Sequence, residues 1–534
     1  MTVETKRRRS LWAWGVFEDD EPTYEQRVEH AAKLSQQLKV TLTAPRIPGA
    51  DDVDLRAPRI QPPAALAGFC FQDNWERAYH SYGADRSGPG VRGEYPNPPD
   101  IVAHPGTEAE LEALLEWCSD NGHVVVPYGG GSSVVEGVTP PADRGPVVTI
   151  DMDRFDRVLE VDEVSRAARI QAGVFGPHLE DQLRPRGYTL RHFPQSFTGS
   201  TLGGWIATRS GGHYATNQTH IDEFVESVRM LTPRGWWEPR RLPAHGAGPD
   251  GNRLVIGSEG ILGIITEAWM RIQVRPRYRA TAGARFPSWR ATYEATRAIV
   301  QAKLWPANLR ALDPELARSG AGMDGSEGLL IIGFESAEIS QRPQMAQAVE
   351  IARAHGGLIN DDEIQIDDGT GTPTGRGGPV GAWREAFIPS GGGLAAGLGM
   401  VGGTFETAIT WDRWPDFDAF VRERAMRALN EIFGGGTLNC RFTHVYTDGP
   451  APYYTFAGVY RAGDAAEQAR QIKAAVSDAV MEAGGTITHH HAVGRQHRPW
   501  YDSERPELFA DALRAVKREL DPNGVLNPGV LIDP

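Results

Sequence analysis

Short apolar runs alternate with amphipathic stretches along most of this chain. In "GTEAELEALLEWCSDNG" the apolar positions Leu111, Leu114, Leu115 and Cys118 recur every three or four residues, which predicts a helix with one buried face. Thr107 stands ahead of it with Glu110 three residues on, the arrangement of a reciprocal cap, and Gly122 marks its end. "HVVVPY" follows directly. It is short and rich in β-branched residues, so it reads as a buried strand. From Val147 to about residue 275, brief strands are separated by Asp-rich turns, as in "VVTIDMDRFDRVLEVDEVSRAARIQAGV". Beyond that point helices such as "WRATYEATRAIVQAKL" and "FDAFVRERAMRALNEIF" alternate with strands such as "GLLIIGF" and "APYYTFAGVYR". Ahead of residue 70 a helix, "YEQRVEHAAKLSQQLKV", leads into a Pro-rich connector, and "RPELFADALRAVKRELDPNG" near the C-terminus reads as one more amphipathic helix. The Gly-, Asp-, Thr- and Pro-rich stretch 367–381 reads as a mobile loop. The pattern predicts an α+β protein of two sizeable units.

Size agrees with that division, since 534 residues exceed what a single core organises. Hydrophobic residues at 40% and charged residues at 23% are ordinary for a soluble globular protein. The formal net charge of −14 argues against general nucleic-acid binding, while leaving room for a local basic pocket. Cys70, Cys118 and Cys440 are scattered, with neither metal-ligand spacing nor a disulfide framework, so a reducing cytoplasm is the simplest setting. No apolar run approaches the roughly 18 residues of a spanning helix. The opening "MTVETKRRRSLWAWGVFEDD" turns acidic too soon for a secretory signal, and "NPGVLIDP" is no peroxisomal tripeptide. The cluster Trp12, Trp14 and Phe17 offers two readings, packing inside the protein and peripheral contact with a membrane, and packing is favoured.

Chemistry enters with "VPYGGGSSVVEG", residues 126–137, where three glycines and two serines follow a strand. Such a loop can bring main-chain N–H groups and hydroxyls together on a phosphate; the alternative is a flexible turn. It lacks the third glycine and the following helix of a Rossmann fingerprint, because Val134 stands there, and it lacks the Lys-Ser/Thr pair of a Walker loop. Two further stretches are of the same kind: "HFPQSFTGSTLGGWIATRSGG" from His192 and "GSEGILGIITEAW" from Gly257. Three stretches of small residues, hydroxyls and apolar neighbours suit a cofactor with a polar middle and a flat apolar end.

Taken in order, "PYGGGSSVVEG", "PQSFTGSTLGGWIATRSGG", "VRMLTPRG", "GSEGILGIITEA", "TFETAITWD", "HHHAVGR" and "LDPNGVLNPG" closely resemble the alkylglycerone-phosphate synthases. These are FAD-binding (PCMH-type) flavoproteins of the vanillyl-alcohol oxidase kind. The resemblance covers about residues 70–534 and implies a two-subdomain FAD-binding fold with an α+β cap domain over the flavin ring. The divisions expected are an N-terminal region 1–95, an FAD-binding domain 96–278, a cap 279–488, and a segment 489–534 returning to the FAD domain. The residues implied to hold FAD are Pro127, Tyr128, Gly129, Gly130, Gly131, Ser132 and Ser133 in the first stretch. In the second they are Gln195, Ser196, Phe197, Thr198, Gly199, Ser200 and Thr201, then Thr208, Arg209, Ser210 and Gly211. In the third they are Glu259, Gly260, Ile261, Leu262, Gly263, Ile264 and Ile265. Relatives that tether the flavin covalently use a histidine just after the glycine turn. Ser132 occupies that neighbourhood here, so FAD is expected to be non-covalent.

The family reaction replaces the acyl group of acyl-dihydroxyacetone phosphate with a fatty alcohol, without net redox change. It calls for a base, a phosphate clamp and a dry tunnel. The resemblance places Tyr453 as the catalytic tyrosine, His192 near the flavin, Arg384 on the substrate phosphate, and Arg310 as an important arginine whose plainer role is a salt bridge. Thr404 stands where serine is frequent. An isolated phenol is a poor base at neutral pH and needs positive charge or donors nearby, which His489, His490 and His491 could supply. Metal binding is the alternative for these histidines; no companion Cys or acidic spacing supports it, and no metal is expected. The plainer role for Tyr453 is a core aromatic, one that its neighbour Tyr454 could fill. Two other functions compete with ether-lipid synthesis. One is FAD-linked oxidation of a hydroxy acid or alcohol. The other is a flavin-carrying, non-catalytic protein, which the density of candidate catalytic residues disfavours. Homodimerisation through the cap is common among relatives and is left open.

Overall fold

The computed structural model describes residues 7–387, 393–461 and 465–533. Most of the regular structure is gathered in three sheets. The first is four-stranded, in the order Cys70–Phe71, Ile101–Ala103, Val147–Asp151, Val124–Tyr128. Its last three strands are parallel, and they are buried on both faces, which is why they read as unbroken apolar runs. The helix Glu108–Asp120 covers this sheet with the four apolar residues its periodicity predicts. Thr107 and Glu110 form the reciprocal cap, and Gly122 follows the helix with φ +66°.

The second sheet is five-stranded and antiparallel: Val158–Asp162, Ala167–Gln171, Ile264–Arg271, Val225–Thr232, Gly235–Trp237. The helix Leu202–Thr208, which opens from one glycine-rich stretch, packs on it through Leu202, Trp205 and Ile206.

The third sheet is seven-stranded and antiparallel, in the order Gln365–Asp368, Tyr278–Phe286, Gly328–Ser336, Asn308–Leu312, Thr437–Val445, Pro450–Val459, Met400–Glu406. The period of two along a strand sorts its side chains cleanly. Leu309, Ala311, Cys440, Phe442, Tyr454, Phe456 and Phe405 enter one core with the helices Trp289–Gln301, Arg342–Ala354, Trp414–Phe433 and Ala465–Glu482. Their neighbours Arg310, Arg441, Tyr453 and Glu406 therefore point to the opposite face.

The C-terminal segment returns to the first two sheets. Val125 and Asn527 N–H donate to the carbonyls of Val525 and Val125, extending the first sheet at its edge, while Val493, Ala510 and Val530–Ile532 join the second core.

Two expectations need comment. Residues 367–381 are not loop throughout: the strand Gln365–Asp368 enters them, and a helix, Gly378–Phe387, begins within them. The buried Asp367 carboxylate holds the turn by accepting from the N–H groups of Thr370 and Gly371. The aromatic cluster packs inside the protein: Trp12 is buried, and Trp14 donates from Nε1 to the Gly130 carbonyl at 3.3 Å. Among the described residues no helix is long and apolar enough to cross a membrane.

Candidate active site

The glycines of 129–131 are set by close approach between loops. A Cβ on Gly129 would lie 2.3 Å from Thr201 Oγ1, and one on Gly130 would lie 2.0 Å from the Gly199 carbonyl oxygen. Gly131 has φ +60°, and a Cβ there would meet the Tyr128 hydroxyl at 2.0 Å. The first stretch thus packs directly on the second. At their junction, Thr201 precedes the helix Leu202–Thr208, and its buried Oγ1 has no hydrogen-bond partner within the protein. Orphaned buried hydroxyls are rare, and this one lies beside bare backbone at a helix start, as a phosphate-bearing cofactor requires. Ser133 has a different use: its hydroxyl accepts from Gly137 N–H at 2.9 Å and shapes the turn.

His192 is buried, with Nε2 at 2.8 Å from Ser210 Oγ and Nδ1 unpartnered. Burial pushes its pKa down to about 3, so the ring is neutral. Gly212 makes room for it, since a Cβ there would lie 2.8 Å from Nδ1. Glu259, with φ +49°, sends its carboxylate away from the glycine loops, to the N–H groups of Val493 (2.9 Å) and Gly494 (2.7 Å).

On the free face of the seven-stranded sheet, three side chains stand in register across three strands: Glu406 opposite Tyr453, and Tyr453 opposite Arg441. All three are buried, at 3%, 7% and 6% exposure. The Arg441 guanidinium carbon lies 4.0 Å from the Tyr453 ring centroid, a cation–π contact. Arg441 also reaches Gln195 Oε1 of the FAD-binding stretch at 3.4 Å, which places this row where cap and cofactor loops meet. Tyr454 takes the other face, stacking on Phe405 and donating to Asp418 at 2.7 Å.

The histidine run is held by Glu406. Its carboxylate accepts from Thr488 Oγ1 and from the N–H groups of His489, His490 and His491, at 2.6, 2.6, 3.2 and 3.0 Å. Burial acts to raise the Glu406 pKa, but the neighbouring histidines, His490 foremost, outweigh it and hold the group well below the usual carboxylate range. The rings of His490 and His491 lie 5.9 and 5.4 Å from that of Tyr453. Burial pushes His489 well below its ordinary value and His491 to about 3.

Arg310 is buried, and its guanidinium donates at 3.4 Å to the carbonyls of Thr443 and His213. Burial, then the nearby Arg441 charge, push its pKa down to about 9. Two guanidiniums so placed repel each other. Arg384 lies in the last turn of the helix Gly378–Phe387 with its side chain exposed, next to the buried Trp383. Thr404 lies two residues before Glu406, and its carbonyl accepts from Lys473 Nζ at 3.4 Å. Burial lowers Lys473 to about 8, against the pull of Glu406.

The structure therefore brings Tyr453, His489, His490, His491 and Arg310 together, puts His192 beside the glycine stretches, and leaves Arg384 exposed on its helix. It adds Glu406, Arg441, His444, Tyr446, His220 and Lys473, which sequence reasoning passed over. Glu406 stood inside the quoted motif "TFETAITWD". The others are single polar residues with no spacing signal.

Comparison with known proteins settles the family. The model of an FAD binding domain matches residues 99–238, and that of the FAD linked oxidases' C-terminal domain matches residues 275–531. The chain belongs to the FAD-linked oxidase family of flavoproteins. FAD is its cofactor, and it is an FAD-dependent enzyme. It is 29% identical to an alkyldihydroxyacetonephosphate synthase of Dictyostelium discoideum, over 82% of this chain and 74% of that protein. It is 26% identical to the glycolate oxidase subunit GlcD of Bacillus subtilis (strain 168), over 82% of this chain and 89% of that one. A solved structure of an alkyldihydroxyacetonephosphate synthase shares the fold with a TM-score of 0.75 at 24% identity, covering 93% of this chain and 91% of that one.

Proposed function

We propose that this flavoprotein is an alkylglycerone-phosphate synthase-like enzyme, exchanging the acyl group of an acyl-dihydroxyacetone phosphate for a fatty alcohol. The observation that carries the reading is the buried row Glu406–Tyr453–Arg441 facing the glycine-rich loops. Tyr453 takes the proton from the carbon bearing the ester. The Arg441 charge, 4.0 Å from its ring, stabilises negative charge on the phenolic oxygen as the proton passes. Glu406 fixes the His489–His491 turn against Tyr453, so that the rings of His490 and His491 stand beside the phenol. The repulsion between Arg310 and Arg441 is relieved by an anionic substrate group, so Arg310 holds the phosphate from within the pocket and Arg384 reaches it from the helix end. The glycine loops, Thr201 and His192 hold FAD without a covalent bond. When bound, FAD supplies an electron-accepting ring system.

The second reading, oxidation of a 2-hydroxy acid, is favoured by the same guanidinium pair, which would also clamp a carboxylate. Anaerobic flavin spectroscopy separates the two. Acyl-dihydroxyacetone phosphate is expected to bleach the flavin transiently, with recovery and ether product when a fatty alcohol is added, while glycolate leaves the spectrum unchanged. Lasting bleaching by a hydroxy acid, with none by the acyl phosphate, transfers the assignment to the oxidase reading. In acid precipitation the yellow colour is expected in the supernatant; a yellow pellet would refute non-covalent attachment.

A further inference from the structure

We propose that His444, His489 and His490 form a three-imidazole site for a divalent transition-metal ion, zinc foremost. One ring nitrogen from each lies within 4.8 Å of the others. They come from separate parts of the chain, the strand Thr437–Val445 and the turn held by Glu406, so the companion ligand that the His489–His491 run lacks in sequence is supplied by the fold. His489 Nδ1 and His490 Nδ1 are 3.1 Å apart. Two imidazole nitrogens on one tetrahedral zinc, each at about 2.0–2.1 Å, stand roughly 3.4 Å apart, so little movement separates the present geometry from a bound one.

The surrounding hydrogen bonds fix which nitrogens are free. His444 Nε2 faces the Gly212 carbonyl at 3.0 Å. A carbonyl only accepts, so Nε2 carries the proton and Nδ1 keeps its lone pair. That Nδ1 is buried and has no partner in the protein, although His444 is only 2% exposed. His220 Nδ1 faces the Arg209 carbonyl at 2.9 Å and is protonated for the same reason. Its Nε2 is then an acceptor for His489 Nε2, 3.1 Å away, with the Tyr446 hydroxyl at 2.8 Å on the same atom. His489 therefore also turns a free Nδ1 inward. These are the outer contacts that orient imidazole ligands in metal sites. Without a cation, His490 can donate to His489 or to Glu406, whose carboxylate is 3.4 Å away, but the His444 lone pair stays buried and unmatched. A cation satisfies all three rings, and the Glu406 carboxylate beside His490 supplies a compensating negative group. A ligand set of three imidazoles without thiolate selects zinc, cobalt, nickel or copper, and leaves a fourth position open for water or a substrate oxygen.

The test uses the full-length, FAD-loaded protein, stripped with a chelator and dialysed against zinc. One equivalent of zinc by mass spectrometry is expected, with X-ray absorption reporting imidazole ligands; this measurement needs no variant. His444→Ala and His490→Ala should each weaken zinc binding by on the order of 100-fold or more, while the exposed-site control His178→Asn binds normally. Flavin content and thermal melting check that each variant is folded. Wild-type protein that keeps FAD yet takes up no zinc overturns the proposal and leaves a hydrogen-bonded histidine network. Equal uptake by wild type, His444→Ala and His490→Ala overturns it as well, because the ion then sits elsewhere.

Discussion

At the scale of single residues, Tyr453 and Tyr454 are adjacent but belong to different parts of the molecule. Tyr453→Phe removes one hydroxyl facing the candidate site, and a loss of turnover on the order of 10²–10⁴-fold is expected with FAD content unchanged. Tyr454→Phe instead removes a hydrogen bond to the buried Asp418, which also receives bonds from Trp289 and Arg422. The expected cost is about 1–2 kcal/mol of stability, with turnover retained. Parallel kinetics and melting curves on the pair check the assignment, and exchanged phenotypes would move the catalytic role by one residue. Arg441→Ala is expected to lower kcat/KM by on the order of 10–100-fold, the equivalent of one charge-assisted bond of about 1.5–3 kcal/mol. Arg441→Lys recovers only part, because an ammonium does not lie flat over the ring. Arg384→Ala should instead raise KM for the phosphorylated substrate with kcat nearly unchanged. Equal kcat losses in both variants would place Arg384 beside Tyr453 in the working enzyme.

At the scale of elements, structure is legible in the sequence where a period is regular and hidden where the period breaks. The helix Glu108–Asp120 was legible down to its cap, because burial and capping both leave fixed spacings. His444 was not. Alternation along "NCRFTHV" puts Arg441 and Thr443 on one face and Phe442 and His444 on the other. A register shift between Phe442 and His444, with Phe442 and Val445 both in the core, turns His444 toward the site instead. No pattern in one strand announces a bulge that its partner imposes. The glycine loop was recognisable, yet the need for bare backbone at Gly130 comes from the neighbouring loop as well as from any ligand. Gly130→Val would drive Cβ into the Gly199 carbonyl, and backbone cannot yield cheaply. The flavin-to-protein ratio of the purified variant is expected to fall close to zero; stoichiometric FAD would contradict this. Thr201→Val tests the same junction with the opposite sign for stability. It removes a buried hydroxyl without a protein partner, so the FAD-free protein should melt no lower, while FAD affinity drops roughly 5–10-fold.

At the scale of the whole molecule, the candidate site exists only where three parts of the chain dock. Gln195 meets Arg441, Gly212 meets His444, and the turn carrying the three histidines continues into the segment that closes on the FAD-binding sheets. Lys517 secures that segment: its buried ammonium donates to Asp521 and to the carbonyls of Ile261 and Leu526. Glu259 secures it at the end nearest the site, and this contact is pH-sensitive. Burial raises the Glu259 pKa to about 7, and the N–H groups of Val493 and Gly494, with Arg495, pull it back only in part. Between the ordinary value near 4.5 and about 7, the folded protein therefore holds a proton that the unfolded chain has lost. Stability contributed by this group is full below that window and falls as pH rises through it, by at most about 3 kcal/mol. The buried neutral histidines work in the opposite direction, since their depressed values favour folding as pH rises, so the wild-type curve alone does not isolate Glu259. Glu259→Gln does: the side chain stays neutral, loses one acceptor, and should lower stability at acidic pH while removing its share of the slope. Urea midpoints measured across the window are expected to converge between wild type and variant as pH increases. Parallel curves would mean that Glu259 is ionised throughout, with its two N–H donors sufficient to hold the charge.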